Sequence, residues 1–294
     1  MPFGKSFEAQ LEGMIWKLAF DRHSQQPVIA IEVRHRDSQQ AAWAAVDLAV
    51  NQLLWHHPVL SGLALDEWLG MLGLYNGTLL LHRYGTDSPQ PRSLLALDAR
   101  TGNQRYELPG LVFIDTDGQR LIAARPANEG TTPPIGFDLA TGESPDPPGI
   151  QPPVPPVTLD FPHHYGDANP YFPVVARFVH RLTGQVAVKA ADYLEMGPAG
   201  SPAESPVGGP AENNNKGRNH PSPAYVLVSY YIYHQDLLEN RLLVVQGLNT
   251  VVLHETLSTG QGLNPEPFVM YTHGGAPSRL VFVQNSNRLL VYEC

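Results

Sequence analysis

Cysteine is almost absent: the single one, Cys294, is the last of 294 residues. An internal disulfide is impossible, so the chain is no disulfide-stapled scaffold, and the redox compartment stays open. Charge is also scarce. Charged residues make up 16% of the chain, against roughly 25% in an average globular protein. The formal net charge is −9, and no basic cluster exceeds two or three residues, which argues against nucleic acid as a main partner. No stretch approaches the roughly 18 apolar residues of a membrane span. Residues 1–8, Met1-Pro2-Phe3-Gly4-Lys5-Ser6-Phe7-Glu8, contain no apolar run of signal-peptide length. The expectation is one soluble domain over 1–294, cytoplasmic, monomeric and away from membranes. Gly-x-Ser-x-Gly elbows and Gly-x-x-x-x-Gly-Lys-Ser/Thr phosphate loops are missing too.

Turn formers are plentiful, with 28 prolines and 26 glycines. This is more punctuation than a helical protein tolerates. Several of these residues fall into a weak repeat: Asp, two residues, Thr-Gly or a substitute, then an aromatic four residues on. The clearest copy is Ala96-Leu97-Asp98-Ala99-Arg100-Thr101-Gly102 with Tyr106. An earlier copy has Asp47, Val50-Asn51 in the Thr-Gly place, and Trp55. A later one has Asp138 and Thr141-Gly142 without the aromatic. Two faded copies centre on Gln246, with Asn249-Thr250, and on Glu293. The template describes a hairpin. Asp accepts hydrogen bonds from turn N–H groups, Gly supplies positive φ, and the aromatic is placed to pack between neighbouring sheets. Further hairpin signals are Asn76-Gly77, Asp117-Gly118 and Gly274-Gly275.

Each unit then reads as four short antiparallel strands, one propeller blade. The fold class is all-β, a closed β-propeller of five blades, with six as the alternative. Blade 1 runs from Met14 to Leu60, blade 2 from Glu67 to Pro109, and blade 3 from Gly110 to Asp146. Blade 4 uses Val186–Met196, Ala224–His234, Leu242–Gly247 and Val251–Leu257. Blade 5 uses Pro267–His273, Arg279–Gln284 and Leu289–Glu293 and lacks a strand. Phe7, Ala9 and Leu11 alternate with Glu8, Gln10 and Glu12, so an N-terminal strand is expected beside Leu289–Glu293, completing the last blade. Gln40–Trp55 conflicts locally, because Trp43, Val46, Val50 and Leu53 lie at helical spacing. The turn template overrules that spacing.

The hairpins at 96–106 and 45–55 resemble the blade motif of quinoprotein-like propellers, which recurs in WD40-like propellers. The layout, with Tyr193-Leu194-Glu195 ahead of Ser229-Tyr230-Tyr231, is also similar to a bacterial propeller family known only as a domain of unknown function. These resemblances imply a fold and bring no catalytic residues. In quinoproteins the motif is a packing device and not the cofactor site, so no cofactor is expected.

Three segments interrupt the pattern. Residues 145–157 are so proline-rich that an extended crossing is expected; the alternative is a ligand for a proline-binding partner. Residues 168–184 are read as a short helix, with Asn169 as N-cap, Gly184 as C-cap and Pro173 against it. A hairpin at Thr183-Gly184 would instead add a sixth blade. Residues 197–222 are read as a disordered insertion.

Histidine is the obvious carrier of chemistry. His163-His164 lies near Asp160 and Asp167, but adjacent residues in a loop rarely hold one ion, so a polar loop is expected and no metal site; His56-His57 has the same problem. Asp47, Asp98 and Asp138 are read as turn residues, and Ser229-Tyr230-Tyr231-Ile232-Tyr233 as a packing strand whose alternative is a carbohydrate or partner surface. No catalytic residue is assigned. The functional expectation is a non-catalytic scaffold or a module binding a protein or small-molecule ligand. A hydrolase or lyase at the mouth of the central channel is the alternative.

Overall fold

The computed structural model describes residues 3–35, 41–57, 68–85, 88–126, 133–143, 157–197, 224–264, 266–274 and 276–294. The proline-rich crossing at 145–157 lies outside these except for Val157, and the insertion at 197–222 except for Gly197. The described chain is all-β apart from one helix. It divides into two compact units, one of residues 9–157 and one joining residues up to 8 with those from 158 onward.

The first strand, β1 (Gly4–Gln10), belongs to a sheet formed much later in the chain. Three antiparallel sheets then follow in order. The first is β2 (Met14–Phe20), β3 (Val28–Arg34), β4 (Ala41–Asp47) and β5 (Gln52–His57). The second is β6 (Trp68–Tyr75), β7 (Thr78–Gly85), β8 (Ser88–Asp98) and β9 (Gln104–Pro109), and the third is β10 (Val112–Thr116), β11 (Arg120–Ala124) and β12 (Ile135–Asp138). The helical spacing around β4 loses to its surroundings. β4 is paired on both edges, Ala41 to Arg34 and Trp43 to His57, and Ala42–Asp47 are buried. An interior strand covered on both faces reads as a continuous apolar run, which periodicity cannot separate from helix.

In the second unit β13 (Val157–Asp160) and β14 (His163–Gly166) precede α1 (Phe172–Thr183). Then come β15 (Val188–Met196), β16 (Tyr225–His234), β17 (Leu237–Gln246), β18 (Thr250–Thr259), β19 (Phe268–His273), β20 (Arg279–Gln284) and β21 (Arg288–Glu293). Two five-stranded sheets result, β14-β15-β16-β17-β18 and β1-β21-β20-β19-β13. Within α1, Pro173 falls in the first turn, where its missing N–H has no helical partner anyway. Tyr171 is the N-cap, and the Asn169 side chain instead accepts the Tyr171 N–H at 2.9 Å.

One backbone bond recurs in all five sheets. The residue after the turn position of the repeat donates to the carbonyl just before the sheet's second repeat strand. The pairs are Leu48 to Pro27 (2.8 Å), Ala99 to Gly77 (2.9 Å), Leu139 to Gln119 (2.9 Å), Gly247 to Ala224 (2.8 Å) and Cys294 to Ser278 (2.9 Å). The faded copies at Gln246 and Glu293 are therefore equivalent in structure to the three clear ones. By this correspondence β13 and β14 are additions on the first-strand side of their sheets, and β1 takes the fourth-strand place beside β21. The corresponding first strands β2, β6, β10 and β15 each carry a register shift, at Trp16, Leu72, Ile114 and Lys189-Ala190. A bulge increases local twist and re-aims a side chain, so these four sheets share one device for bending.

The cores follow the sheets. Trp43, Ala45, Leu79 and Leu97 join the first sheet to the second, and Leu80, Ala96, Leu121 and Leu139 join the second to the third. In the other unit Leu227, Val244, Met270 and Phe282 fill the space between the two five-stranded sheets. The opposite face of β15–β17 is covered by Val175 and Val179 of α1.

Candidate functional site: a buried polar row

The carboxylates singled out by the repeat are occupied in turns. Asp98 Oδ1 accepts from the Arg100 and Thr101 amides, both at 2.9 Å, and from Thr101 Oγ1 at 3.1 Å. Asp138 repeats this with Ala140, Thr141 and Thr141 Oγ1 at 2.9, 2.8 and 3.1 Å. Asp47 accepts from the Ala49 amide and from Arg100 Nη1. Gly102 and Gly142 have φ of 72° and 73°, and Asn51, in the Gly place of the first copy, has φ of 52°. Asn tolerates this region better than most residues, which explains the substitution. The aromatics reach the next repeat. Trp55 Nε1 donates to the Ala99 carbonyl and Tyr106 Oη to the Leu139 carbonyl, each at 2.8 Å. Ala99 and Leu139 both follow the repeat Asp, so the two bonds are the same contact made twice.

The other unit holds a polar group that no turn explains. His164 on β14 pairs with Asp192 on β15, and Asp192 pairs with Ser229 on β16. Tyr231 on β16 pairs with Asn240 on β17. Residues directly opposite share a face, and so do residues two apart along a strand. All five side chains therefore lie on the face that carries Leu194, Leu227 and Val244 toward the neighbouring sheet. Asp192 and Ser229 have no exposed surface, and Tyr231 and Asn240 have 1% and 2%. His164 is the outlet, with its side chain 46% exposed.

Hydrogen-bond directions along the row are set from one end. The Asn264 amide donates to Tyr231 Oη at 2.5 Å, and Asn240 Nδ2 donates to the same oxygen at 3.3 Å. This leaves Asn240 Oδ1 as an acceptor, which takes the Ser229 hydroxyl at 2.8 Å. At the other end His164 Nδ1 meets Asp192 Oδ1 at 2.7 Å. Asp192 Oδ2 is buried with no partner among the described residues. Burial pushes the Asp192 carboxyl up to about 6, with the His164 contact opposing the rise.

The loop reading of His163-His164 is replaced by an edge strand, because β14 pairs with β15 over four residues. Alternation then sends His163 to the opposite face, across from Tyr193, so the two histidines cannot meet at one ion. His56 and His57 likewise occupy successive positions of β5. Among the described residues no group of three His, Cys, Asp or Glu side chains is arranged to hold a metal. Asp160, at the end of β13, has its carboxyl raised by burial. Tyr230 and Tyr231 point to opposite faces and are buried, and Tyr230 Oη lies 2.6 Å from both Gln185 Oε1 and His254 Nε2. Tyr233 is exposed near the end of that strand, as is His234 after it.

Sequence reasoning found His164 and missed Asp192 and Asn240. For Asp192 the available signal was a lone polar residue inside an apolar strand, Ala190-Ala191-Asp192-Tyr193-Leu194, as for Ser229 in Val226-Leu227-Val228-Ser229-Tyr230; Asn240, between Glu239 and Arg241, carried no such signal. Their meeting depends on sheet register.

A family model described as a domain of unknown function (DUF4905) matches residues 22–105. That span starts after β2, runs from β3 to the beginning of β9, and ends before the polar row. No curated protein matches the chain. Among solved structures, BamB from Moraxella catarrhalis is similar at 8% identity and a TM-score of 0.28, covering 100% of this chain and 98% of that one. A DUF4221 family member from Bacteroides vulgatus is similar at 7% identity and a TM-score of 0.31, covering 99% and 97%. Quinohemoprotein alcohol dehydrogenase ADHIIG from Pseudomonas putida HK5 stands at 11% and 0.23, covering 95% of this chain and 42% of that one. Likenesses this slight carry no argument about fold or function. No helix among the described residues is long and apolar enough to cross a membrane.

Proposed function

We propose that the chain is a closed five-bladed β-propeller acting as a non-catalytic scaffold or binding module in the bacterial cytoplasm, as a monomer. The observation that carries this reading is the backbone bond repeated in all five sheets, from Leu48, Ala99, Leu139, Gly247 and Cys294. Five equivalent sheets, with β1 filling the fourth place of the last, are the content of a ring. The repeat carboxylates are engaged in turns, so the repeated residues hold the architecture together and leave binding to strand edges and loops. Two measurements test this. Sedimentation should give a compact monomer of about the chain mass. A ligand panel read by thermal shift should produce stabilising hits that are not turned over, whereas turnover of any hit would overturn the non-catalytic reading.

A hydrolase or lyase is the second reading, favoured by the His164–Asp192 contact. A histidine oriented by a buried carboxylate through Nδ1 presents Nε2 as a base. Ser229 is no nucleophile for it: its hydroxyl donates to Asn240, and Asp192 lies between it and His164 in the row. A water attacking under His164 would be the chemistry left. Loss of an observed hydrolysis in His164→Ala would favour this reading.

A further inference from the structure

We propose that Asn76 is a site of spontaneous deamidation which Asp21 keeps closed, and that modification there unlatches the first sheet from the second. The sequence holds one Asn-Gly pair, Asn76-Gly77. Gly77 has no side chain to hinder its backbone nitrogen, which can attack the Asn76 carboxamide. A bond forms from Gly77 N to Asn76 Cγ, and the Cγ–Nδ2 bond breaks. The Gly77 amide proton departs with Nδ2 as ammonia, leaving a cyclic imide. Water then opens the imide. Opening at Cγ gives an aspartyl residue; opening at the main-chain carbonyl gives an isoaspartyl residue, whose backbone is longer by one atom. Water enters, ammonia leaves, and nothing is oxidised or reduced.

The fold holds the pair away from this chemistry. Tyr75 pairs with Thr78, so Asn76 and Gly77 are the whole β6–β7 turn. Their φ values are 46° and 71°, the pattern of a type I′ turn. The imide requires the Gly77 nitrogen to swing onto the Asn76 side chain, which takes Asn76 out of the left-handed region. Bonds from the first sheet oppose that swing. Asp21 lies just after β2 and is fully buried. Its Oδ1 accepts the Asn76 amide at 2.9 Å, and its Oδ2 accepts the Gly77 amide at 2.5 Å. The attacking nitrogen is thus tied by its own proton to a carboxylate. Oδ1 also takes the His23 amide at 2.9 Å, which steadies the carboxylate. On its other side, the Gly77 carbonyl accepts the Ala99 amide at 2.9 Å, one of the five recurrent bonds. Gly77 therefore joins Asp21 of the first sheet to the repeat turn of the second.

Modification strikes the same contact. Either product places a new carboxylate on the residue whose amide Asp21 binds, and like charges repel. The isoaspartyl product also displaces the Gly77 N–H along the lengthened backbone. Asp21 is then a buried carboxylate short of donors, an unfavourable state. The junction between the two sheets opens more readily once this has happened. Opening permits modification and modification sustains opening, so the latch fails in one direction.

Peptide mapping by mass spectrometry on the full chain, incubated at neutral pH, tests the inference. Asn285, which precedes Ser286 in a turn of the other compact unit, is the internal control. Asn76 should be modified about 100-fold more slowly in the folded chain than in urea, because the turn must first open against two bonds to a carboxylate. Asp21→Asn removes the charge and leaves one acceptor, so the Asn76 rate should rise by about tenfold with Asn285 unchanged. Asn76→Asp stands in for the aspartyl product and should lose hydrogen-exchange protection at the Gly77 and Ala99 amides, while β16 and β17 keep theirs. The proposal is overturned if Asn76 is modified as fast folded as in urea, or if Asp21→Asn leaves its rate unchanged. It is overturned equally if Asp21→Asn slows the reaction, since the carboxylate would then be serving as a base. Should Asp21→Asn unfold the whole chain and speed both asparagines together, the exchange measurement on Asn76→Asp decides: wild-type protection there overturns the latch.

Discussion

At the scale of residues, two glycines in equivalent turns are expected to behave differently. Gly142 has φ of 73°, and a Cβ there would lie 2.5 Å from Cγ of Tyr106. Gly247 has φ of 60°, with nothing within 4 Å of its Cβ position. Gly247→Ala should lose about 1 kcal/mol, the cost of the left-handed backbone, while Gly142→Ala should lose well over about 2 kcal/mol because the ring must also move. Urea titration of both variants checks the difference; equal losses would mean that the Tyr106 contact adds nothing. Trp55→Phe keeps the apolar body and strips the donor to the Ala99 carbonyl, which should lower stability by about 1 kcal/mol in the same measurement. The turn residues were legible in the sequence because hairpin chemistry is local: Asp98, Asp138 and their glycines lie within a few residues of the groups they satisfy. Asp192 was not legible, because every partner that gives it meaning lies on another strand.

At the scale of elements, the strands bridge one another through single side chains whose ionisation can be followed. His82 on β7 is buried and accepts the Phe113 amide of β10 through Nε2 at 3.1 Å. Burial pushes its imidazole down to about 4. A depressed imidazole favours the neutral form in the folded state, so its contribution is full above about pH 6.5 and is lost as pH falls through 4. The loss amounts to about 3 kcal/mol. Asp192 works in the opposite sense. Its raised carboxyl favours the folded state most below about pH 4, and that advantage fades as pH rises through 6. Asp192→Asn should therefore stabilise the chain at pH 8 and leave it nearly unchanged at pH 4, as read by thermal melts at the two pH values. A variant that is destabilised equally at both would show that Asp192 is needed as a carboxylate.

At the scale of the whole molecule, these two residues lie in different compact units. Acidification from pH 7 to 5 should weaken the unit of residues 9–157 through His82 and strengthen the other through Asp192. Calorimetry across that range should show the unfolding profile broaden or split as the two move in opposite directions. A profile that shifts as one sharp transition would mean that the units unfold together and average the two effects.

The sequence by itself determined that the chain is all-β and where its hairpins turn. Asp-x-x-Thr-Gly, Asn-Gly and Asp-Gly fix local backbone geometry through bonds reaching only a few residues. It also carried the five-fold repeat, though only three copies show their turn chemistry in side chains; the two at Gln246 and Glu293 keep it in the backbone bond alone. Only the tertiary structure decided that His163-His164 is an edge strand, that α1 takes residues 172–183, and that β13 and β14 add to two sheets. The polar row was decided there as well. Register between strands places His164, Asp192, Ser229 and Asn240 on one face, and register is a property of pairing that no single segment contains.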